Sequence, residues 1–372
     1  MTDDLLPVAE RDSAFMRRAL DLAQRGWGQT APNPMVGAVV VREGEGEGED
    51  RVVGEGWHER YGEPHAEINA LRHAGEAARG ATLYVSLEPC NHQGKTPPCA
   101  EAILAAGVSR VVMAMRDPNP VASGGFERLR AAGVQVVSGV EQDAARELNA
   151  PFIHSFQSKR PWVVLKLAVS LDGAIAPAGP TRMWLTGVES RREVHRLRAG
   201  YDAVAVGIGT VLVDDPLLTV RDAEAPRVAP RRIVFDRRAR LSLDSALVRS
   251  VREAPVTVVA RQPDRRRATS LREAGVDVLD ASTINEALSG LAAKGVRSVL
   301  VEGGARLAGS FIGEGLVDRL IIFQAPVVLG ADALSAFSHV DGTTVTVPSR
   351  LRTIAHRTFG DDLMTTFAFG AE

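Results

Sequence analysis

Short aliphatic runs alternate with amphipathic helical stretches along almost the whole chain, and this alternation limits the fold more than any other feature. Strand and helix repeated at short spacing bury their apolar faces against one another in layers, so the pattern predicts an α/β fold with a partly parallel sheet. In the first series Phe15, Met16, Ala19, Leu20, Leu22 and Ala23 recur at helical spacing behind a Ser13 cap, and Gly26 closes the run. Strands are predicted at 36–41 and 51–54, on either side of a Gly/Glu run at 43–50 that reads as a solvated connector. Helix 66–78, strand 83–87, helix 99–106 and strand 110–115 complete the series. A second series begins after Arg160-Pro161, with strands at 162–167, 203–207, 232–235, 256–260, 298–301 and 320–325.

Length agrees with this division. The 372 residues, 45% of them hydrophobic, suffice for two cores, and domains are predicted at 1–155 and 156–372. Residues 149–159 read either as the last helix of the first domain or as a linker. The 44 Lys plus Arg against 46 Asp plus Glu give a formal net charge of -2, which argues against a nucleic-acid coat protein. No run approaches the roughly eighteen apolar residues of a membrane span. Residues 1–11 hold three acids and no basic segment leading into an apolar one. A cytoplasmic protein is expected, with neither nucleic acid nor membrane as partner.

The chain has two cysteines, Cys90 and Cys99, and in a reducing compartment so close a pair points to metal binding or catalysis rather than a disulfide. Each stands at a strand–helix junction, as does His65. One imidazole and two thiolates are the donors a zinc ion takes when its fourth tetrahedral position is kept for water. Glu67, at the start of the same helix as His65, is not needed as a ligand and is placed to shuttle protons. This is the deaminase arrangement, in which activated water attacks an amidine carbon and the glutamate carries a proton to the departing ammonia. The usual signature continues with Pro-Cys-x-x-Cys, whereas eight residues, Asn91 to Pro98, separate the cysteines here.

Three segments resemble the deaminase half of the bifunctional riboflavin-biosynthesis deaminase/reductases: Thr30-Ala31-Pro32-Asn33-Pro34-Met35-Val36-Gly37, Gly54-Glu55-Gly56-Trp57-His58 leading to His65-Ala66-Glu67, and 88–99 with its long loop between the cysteines. The resemblance implies a cytidine-deaminase-like α/β/α domain that removes an amino group from a diaminopyrimidinone bearing a phosphoribosylamino arm. It also implies that His65, Cys90 and Cys99 bind one zinc and that Glu67 is the proton donor and acceptor. Asn33, between two prolines, reads either as a turn former or as an amide that grips the pyrimidine. Lys95, one of four lysines in the chain, either meets the substrate phosphate or is solvated. His58 and His92 read as neighbours of the ligands or contacts of the substrate, and His73 as surface.

In the second half, strand 298–301 turns through Glu302-Gly303-Gly304 into a helical stretch. Two glycines followed by free helix N–H groups suit a pyrophosphate, although close packing of strand on helix explains them equally well. It is neither a Rossmann fingerprint nor a P-loop. The segments 165–173, 184–186, 195–199, 209–221 and 301–309 resemble the reductase half of the same family. The implied fold is dihydrofolate-reductase-like and the implied chemistry is NADPH-dependent reduction of the ribosyl arm to ribityl. By that resemblance the cofactor lies against Ala168, Trp184, Thr210, Asp214 and the turn Gly304, Ala305, Arg306, Leu307, Ala308, Gly309 and Ser310. The substrate lies against Arg198, Leu218, Arg221 and Glu302, the two arginines clamping its phosphate. Asp214 and Glu302, with Lys166 behind them, are candidates for the acid. Arg182 and Arg237 stand where the family has small polar residues.

Residues 227–267 carry twelve arginines against four acids, either a solvated surface or a seat for the NADPH 2′-phosphate, with Arg231, Arg232, Arg237 and Arg238 as candidates. A nucleic-acid deaminase would show a basic, aromatic-studded groove, yet the chain is 5% aromatic. A degenerate binding module would have no need of Glu67. The expected partners are a phosphorylated pyrimidine and further copies of the chain in a homo-oligomer.

Overall fold

The computed structural model describes residues 8–44, 50–94, 97–179, 183–337, 339–340 and 351–369. Lys95, Arg182 and most of the Gly/Glu connector lie outside them. The chain divides into two compact units, Met1–Gln157 and Ser158–Glu372.

In the first unit β1 (Gly37–Arg42), β2 (Arg51–Trp57), β3 (Thr82–Val85), β4 (Arg110–Met113) and β5 (Gln135–Ser138) form one sheet in the order β2-β1-β3-β4-β5. β1 is antiparallel to β2 and β3, while β3, β4 and β5 are parallel. Because side chains alternate across a strand, one set of apolar residues serves each face. Ala38, Val40, Leu83, Val85, Val111 and Met113 pack on Ala70, Ala100, Ile103 and Leu129 from three helices. Val39, Val41, Tyr84 and Val112 pack on Met16, Ala19, Ala145 and Ile153 on the other side. The layering is the α/β/α arrangement that the sequence resemblance implies.

Two glycines set how close one helix comes. A Cβ at Gly54 would lie 2.4 Å from the Ala70 carbonyl, and one at Gly56 2.4 Å from the Ala70 amide. Helix Ala66–Ala74 therefore rests directly on β2, with His65 at its start.

The first helix starts at Val8 rather than at Ser13. Ala9, Glu10 and Arg11 are good helix formers. The added turn also carries Asp12, which accepts from the Tyr84 hydroxyl at 2.8 Å and from both arms of Arg110 at 2.9 and 2.6 Å. Of the two readings for 149–159, the helix is observed: Ala150–Gln157 belongs to the first unit.

The second unit holds β6 (Trp162–Val169), β7 (Ala174–Ala176), β8 (Ala203–Gly207), β9 (Arg231–Phe235), β10 (Val256–Ala260), β11 (Asp277–Asp280), β12 (Ser298–Val301), β13 (Arg319–Gln324), β14 (Leu334–Ser335), β15 (Leu351–Phe359) and β16 (Asp362–Phe369). Nine of them form a sheet ordered β11-β10-β9-β8-β12-β6-β13-β16-β15, and β7 pairs with β14 apart from it. The sheet is parallel from β11 to β13 and antiparallel through β16 and β15. Its parallel strands carry apolar residues on both faces, under two cores. The final hairpin escapes sequence reading because β15 is polar: Arg352, Thr353, His356 and Arg357 are all exposed.

Candidate active sites

In the first unit, His65 precedes helix Ala66–Ala74, Cys99 opens helix Cys99–Ala106, and Cys90 lies in the loop that leaves β3. Three short local motifs thus meet at one end of the sheet. His65 Nδ1 is 3.6 Å from Cys90 Sγ and 3.3 Å from Cys99 Sγ, and the three ligand atoms lie within 4.8 Å of one another. Tetrahedral zinc with its usual bonds of ~2.0 and ~2.3 Å puts nitrogen and sulfur about 3.6 Å apart, so this donor set fits that ion.

The electrostatics favour a thiolate at Cys90. Cys99 N–H donates to Cys90 Sγ at 3.4 Å, and hydrogen bonding from the Cys99 thiol, with His65 beside it, draws the Cys90 thiol down to about 4. Hydrogen bonding to Cys90, with burial, pushes the Cys99 thiol up. Glu67 is 3% exposed, and burial pushes its carboxyl up to about 7. That puts it in the range where a group both takes and returns protons near neutrality.

A cavity of about 250 Å³ opens beside these residues, lined by Asn33, His58, His92, Asp117, Asn119 and Phe152 among others. His58 donates from Nδ1 to the Pro64 carbonyl at 3.2 Å and accepts from Asn33 Nδ2 at 3.2 Å, and burial lowers its pKa, keeping the imidazole neutral. His73 instead meets the backbone of Glu55. Sequence reasoning missed Asp117, Asn119 and Phe152. The Asp117-Pro118-Asn119-Pro120 run past the carboxyl end of β4 was the available signal, since ligands of open α/β sheets gather there. Glu88 organises that loop, accepting from Arg116 at 2.8 Å and from the N–H groups of Asp117, Gly124 and Phe126 at 3.1, 3.0 and 3.0 Å. Burial works to raise its carboxyl, but these donors outweigh it and hold the group ionised.

In the second unit a cleft of about 2350 Å³ runs along the carboxyl ends of the parallel strands. Ala168, Trp184, Thr210, Asp214, Gly304, Ala305, Arg306, Leu307, Gly309 and Ser310 line it, as do Arg198, Leu218, Arg221 and Glu302. Ala308 does not: it is 0% exposed and belongs to the core beneath, because the helical turn that exposes Leu307 points its successor inward. Gly304 caps helix Ala305–Gly313 without a side-chain bond, leaving first-turn N–H groups toward the cleft. Leu218 is held at φ 54, a conformation unusual for a residue with a side chain.

The pair of arginines differs from a free phosphate clamp. Arg198 bonds both Glu302 carboxylate oxygens through Nε and Nη2, at 2.5 and 2.9 Å, and gives Nη1 to the Thr219 carbonyl at 3.0 Å. Arg221 is left as the exposed cation. Its backbone N–H donates to His195 Nδ1 at 3.1 Å, a cleft residue to which sequence reasoning gave no role. Burial works to raise the Glu302 carboxyl, but Arg198 and then Lys166 outweigh it and lower it. Burial lowers Lys166.

Of the four arginines considered for the 2′-phosphate, Arg232 is fully buried and donates to Ser250 and to the carbonyls of Leu217, Ser250 and Ala254. A guanidinium fits inside an apolar sheet only where acceptors converge on it, so Arg232 is structural. Arg231 is tied to Thr257 and Asp277. Arg237 and Arg238 are exposed on the cleft wall, with Arg240 and Arg261.

Residues 9–115 match the cytidine and deoxycytidylate deaminase zinc-binding region, and residues 161–365 match the RibD C-terminal domain. A zinc-binding deaminase unit joined to a reductase unit defines a bifunctional enzyme, hydrolase and oxidoreductase in one chain. The chain is 45% identical over 326 residues to the riboflavin biosynthesis protein RibD of Aquifex aeolicus (strain VF5), covering 87% of this chain and 89% of that protein. It is 43% identical over 341 residues to RibD of Escherichia coli (strain K12), covering 87% and 90%. Among solved structures, Acinetobacter baumannii RibD superposes with a TM-score of 0.83 at 37% identity, over 98% of this chain and 100% of that one. The diaminohydroxyphosphoribosylaminopyrimidine deaminase/5-amino-6-(5-phosphoribosylamino)uracil reductase of Thermotoga maritima superposes with a TM-score of 0.83 at 34% identity and the same coverage. The chain belongs to the RibD family of bifunctional riboflavin-biosynthesis deaminase/reductases.

Proposed function

We propose that the first unit deaminates 2,5-diamino-6-(5-phosphoribosylamino)pyrimidin-4-one and that the second reduces the ribosyl arm with NADPH, giving 5-amino-6-(5-phosphoribitylamino)uracil. The observation that carries the first step is the His65, Cys90 and Cys99 triangle of zinc dimensions with buried Glu67 beside it. These three residues would hold a zinc ion, which would supply a nucleophilic water at neutral pH. Glu67 takes the proton of the attacking water and returns it to the amino group, which leaves as ammonia once the carbon–nitrogen bond breaks. Asn33 holds the ring, and Lys95 is assigned to the phosphate.

NADPH bound in the cleft would supply the hydride that reduces C1′ of the ribosyl arm. Ala168, Trp184, Thr210, Asp214 and the turn residues Gly304, Ala305, Arg306, Leu307, Gly309 and Ser310 hold the cofactor, with first-turn N–H groups taking its pyrophosphate. Arg221, Leu218 and the Arg198–Glu302 pair hold the substrate. Glu302, kept ionised by Arg198, is a poor proton donor, which leaves Asp214 and Lys166 as the candidates for the acid. No helix among the described residues is long and apolar enough to cross a membrane, and a cytoplasmic location fits a phosphorylated, soluble substrate. The reading includes a homo-oligomer.

Mass spectrometry of the pyrimidine substrate with purified protein tests the two steps. One amino group is lost without NADPH, and two hydrogens are then gained with it. An unchanged substrate mass in both incubations refutes the reading. The 2′-phosphate is assigned to Arg237 and Arg238. Arg237→Ala and Arg238→Ala are each expected to raise KM for NADPH about tenfold, the scale of a lost charge-assisted hydrogen bond, with KM for NADH almost unchanged. Equal small effects on both cofactors would place the phosphate elsewhere.

A further inference from the structure

We propose that Asn149, beyond the matched zinc-binding region at 9–115, is a positioning residue of the deaminase site that fixes the loop carrying Asn33. The proposal rests on reading the first unit's cavity as that site. Asn149 stands between helices Gln142–Leu148 and Ala150–Gln157 and is 3% exposed. Its amide pairs with one residue in both directions: Met35 N–H donates to Asn149 Oδ1 at 2.8 Å, and Asn149 Nδ2 donates to the Met35 carbonyl at 2.9 Å. The two residues are 114 apart in sequence. Such a bridge works as a strand pairing does, applied to a single residue. A reversed amide would set donor against donor, so the contact has one register.

Met35 closely follows Asn33 in the same loop, so holding Met35 sets where Asn33 can reach. The Pro64 carbonyl is an acceptor only, so His58 Nδ1 bears its proton and Nε2 accepts. The Asn33 atom facing Nε2 is therefore the amide nitrogen, which turns Asn33 Oδ1 away from His58 and leaves it for a bound ring. Phe152, in the helix that follows Asn149, lines the same cavity. The last two helices of the unit thereby supply both a wall and a fixed loop to a site whose ligands lie far upstream.

The test uses the full chain, whose reductase activity is an internal control. Asn149→Ala is expected to raise the deaminase KM about tenfold, the range for losing buried hydrogen bonds, while zinc content and reduction of pre-deaminated substrate stay at wild-type levels. The double variant Asn33→Ala with Asn149→Ala is expected to be no worse than Asn33→Ala alone, because one residue acts through the other. Multiplicative effects, or a wild-type KM in Asn149→Ala, would overturn the proposal. Should that variant fail to fold, Asn149→Asp keeps the acceptor for Met35 N–H and sets a carboxylate oxygen against the Met35 carbonyl. A wild-type KM in it would equally overturn the proposal, and a raised one would support it. Wild-type protein inert as a deaminase would instead defeat the underlying reading of the cavity.

Discussion

Cys90→Ser and Cys99→Ser are expected to lose zinc and release no ammonia, whereas Glu67→Gln keeps about one zinc per chain and deaminates roughly a hundredfold more slowly or worse. The contrast follows from the geometry. His65 Nδ1 and the two sulfurs stand at the separations of a tetrahedral site, so removing either thiolate leaves two donors where three are needed. Glu67 adds no donor to that triangle, and its buried carboxyl is the group proposed to carry the proton. Glutamine preserves its volume and removes only its acid–base capacity. All three variants are expected still to reduce pre-deaminated substrate with NADPH, since the described residues that line the cleft proposed for that step belong to the second unit. Metal analysis and an ammonia assay on the same preparations decide the matter. Full zinc occupancy in both serine variants would sink the ligand assignment, and normal turnover in Glu67→Gln would remove that residue from the chemistry.

Arg198→Ala is expected to abolish reduction and to destabilise the second unit by about 3–5 kcal/mol, the cost of leaving one partner of a buried ion pair alone. Arg198 and Glu302 are nearly enclosed, and the guanidinium meets both carboxylate oxygens. Lysine at position 198 restores the charge but not the fork, so it recovers little. The pH dependence separates this from a simple cavity. In the wild type the Glu302 pKa is lowered, so its contribution is present above the unfolded-state value of about 4.3 and is lost as pH falls through the folded-state value. In the variant the unpaired carboxyl is raised by burial, so acid no longer weakens it. Urea unfolding should therefore show the gap between the two proteins narrowing as pH falls toward 4, and a gap independent of pH would refute the account.

What the sequence determined is local. Short unbroken apolar runs such as Val39 to Val41 carry their own strand signal. His65, Glu67, Cys90 and Cys99 are legible because each sits at a strand or helix end within a short motif, and metal chemistry admits few donor sets. The turn from Gly303 into the last long helix is legible for the same reason. Tertiary structure decided whatever depends on partners far along the chain. Among neighbouring arginines of the same type, Arg232 lies inside the sheet on backbone carbonyls while Arg237 and Arg238 face the cleft, because strand register rather than composition sets burial. Arg198 reads as a phosphate ligand until Glu302, 104 residues away, takes its fork. Asn149 looks like any residue between two helices, and only the closed fold brings its amide to Met35. Periodicity and motif spacing are written into a few adjacent residues, whereas hydrogen-bond pairing between distant segments exists only once the sheet and its helices have packed.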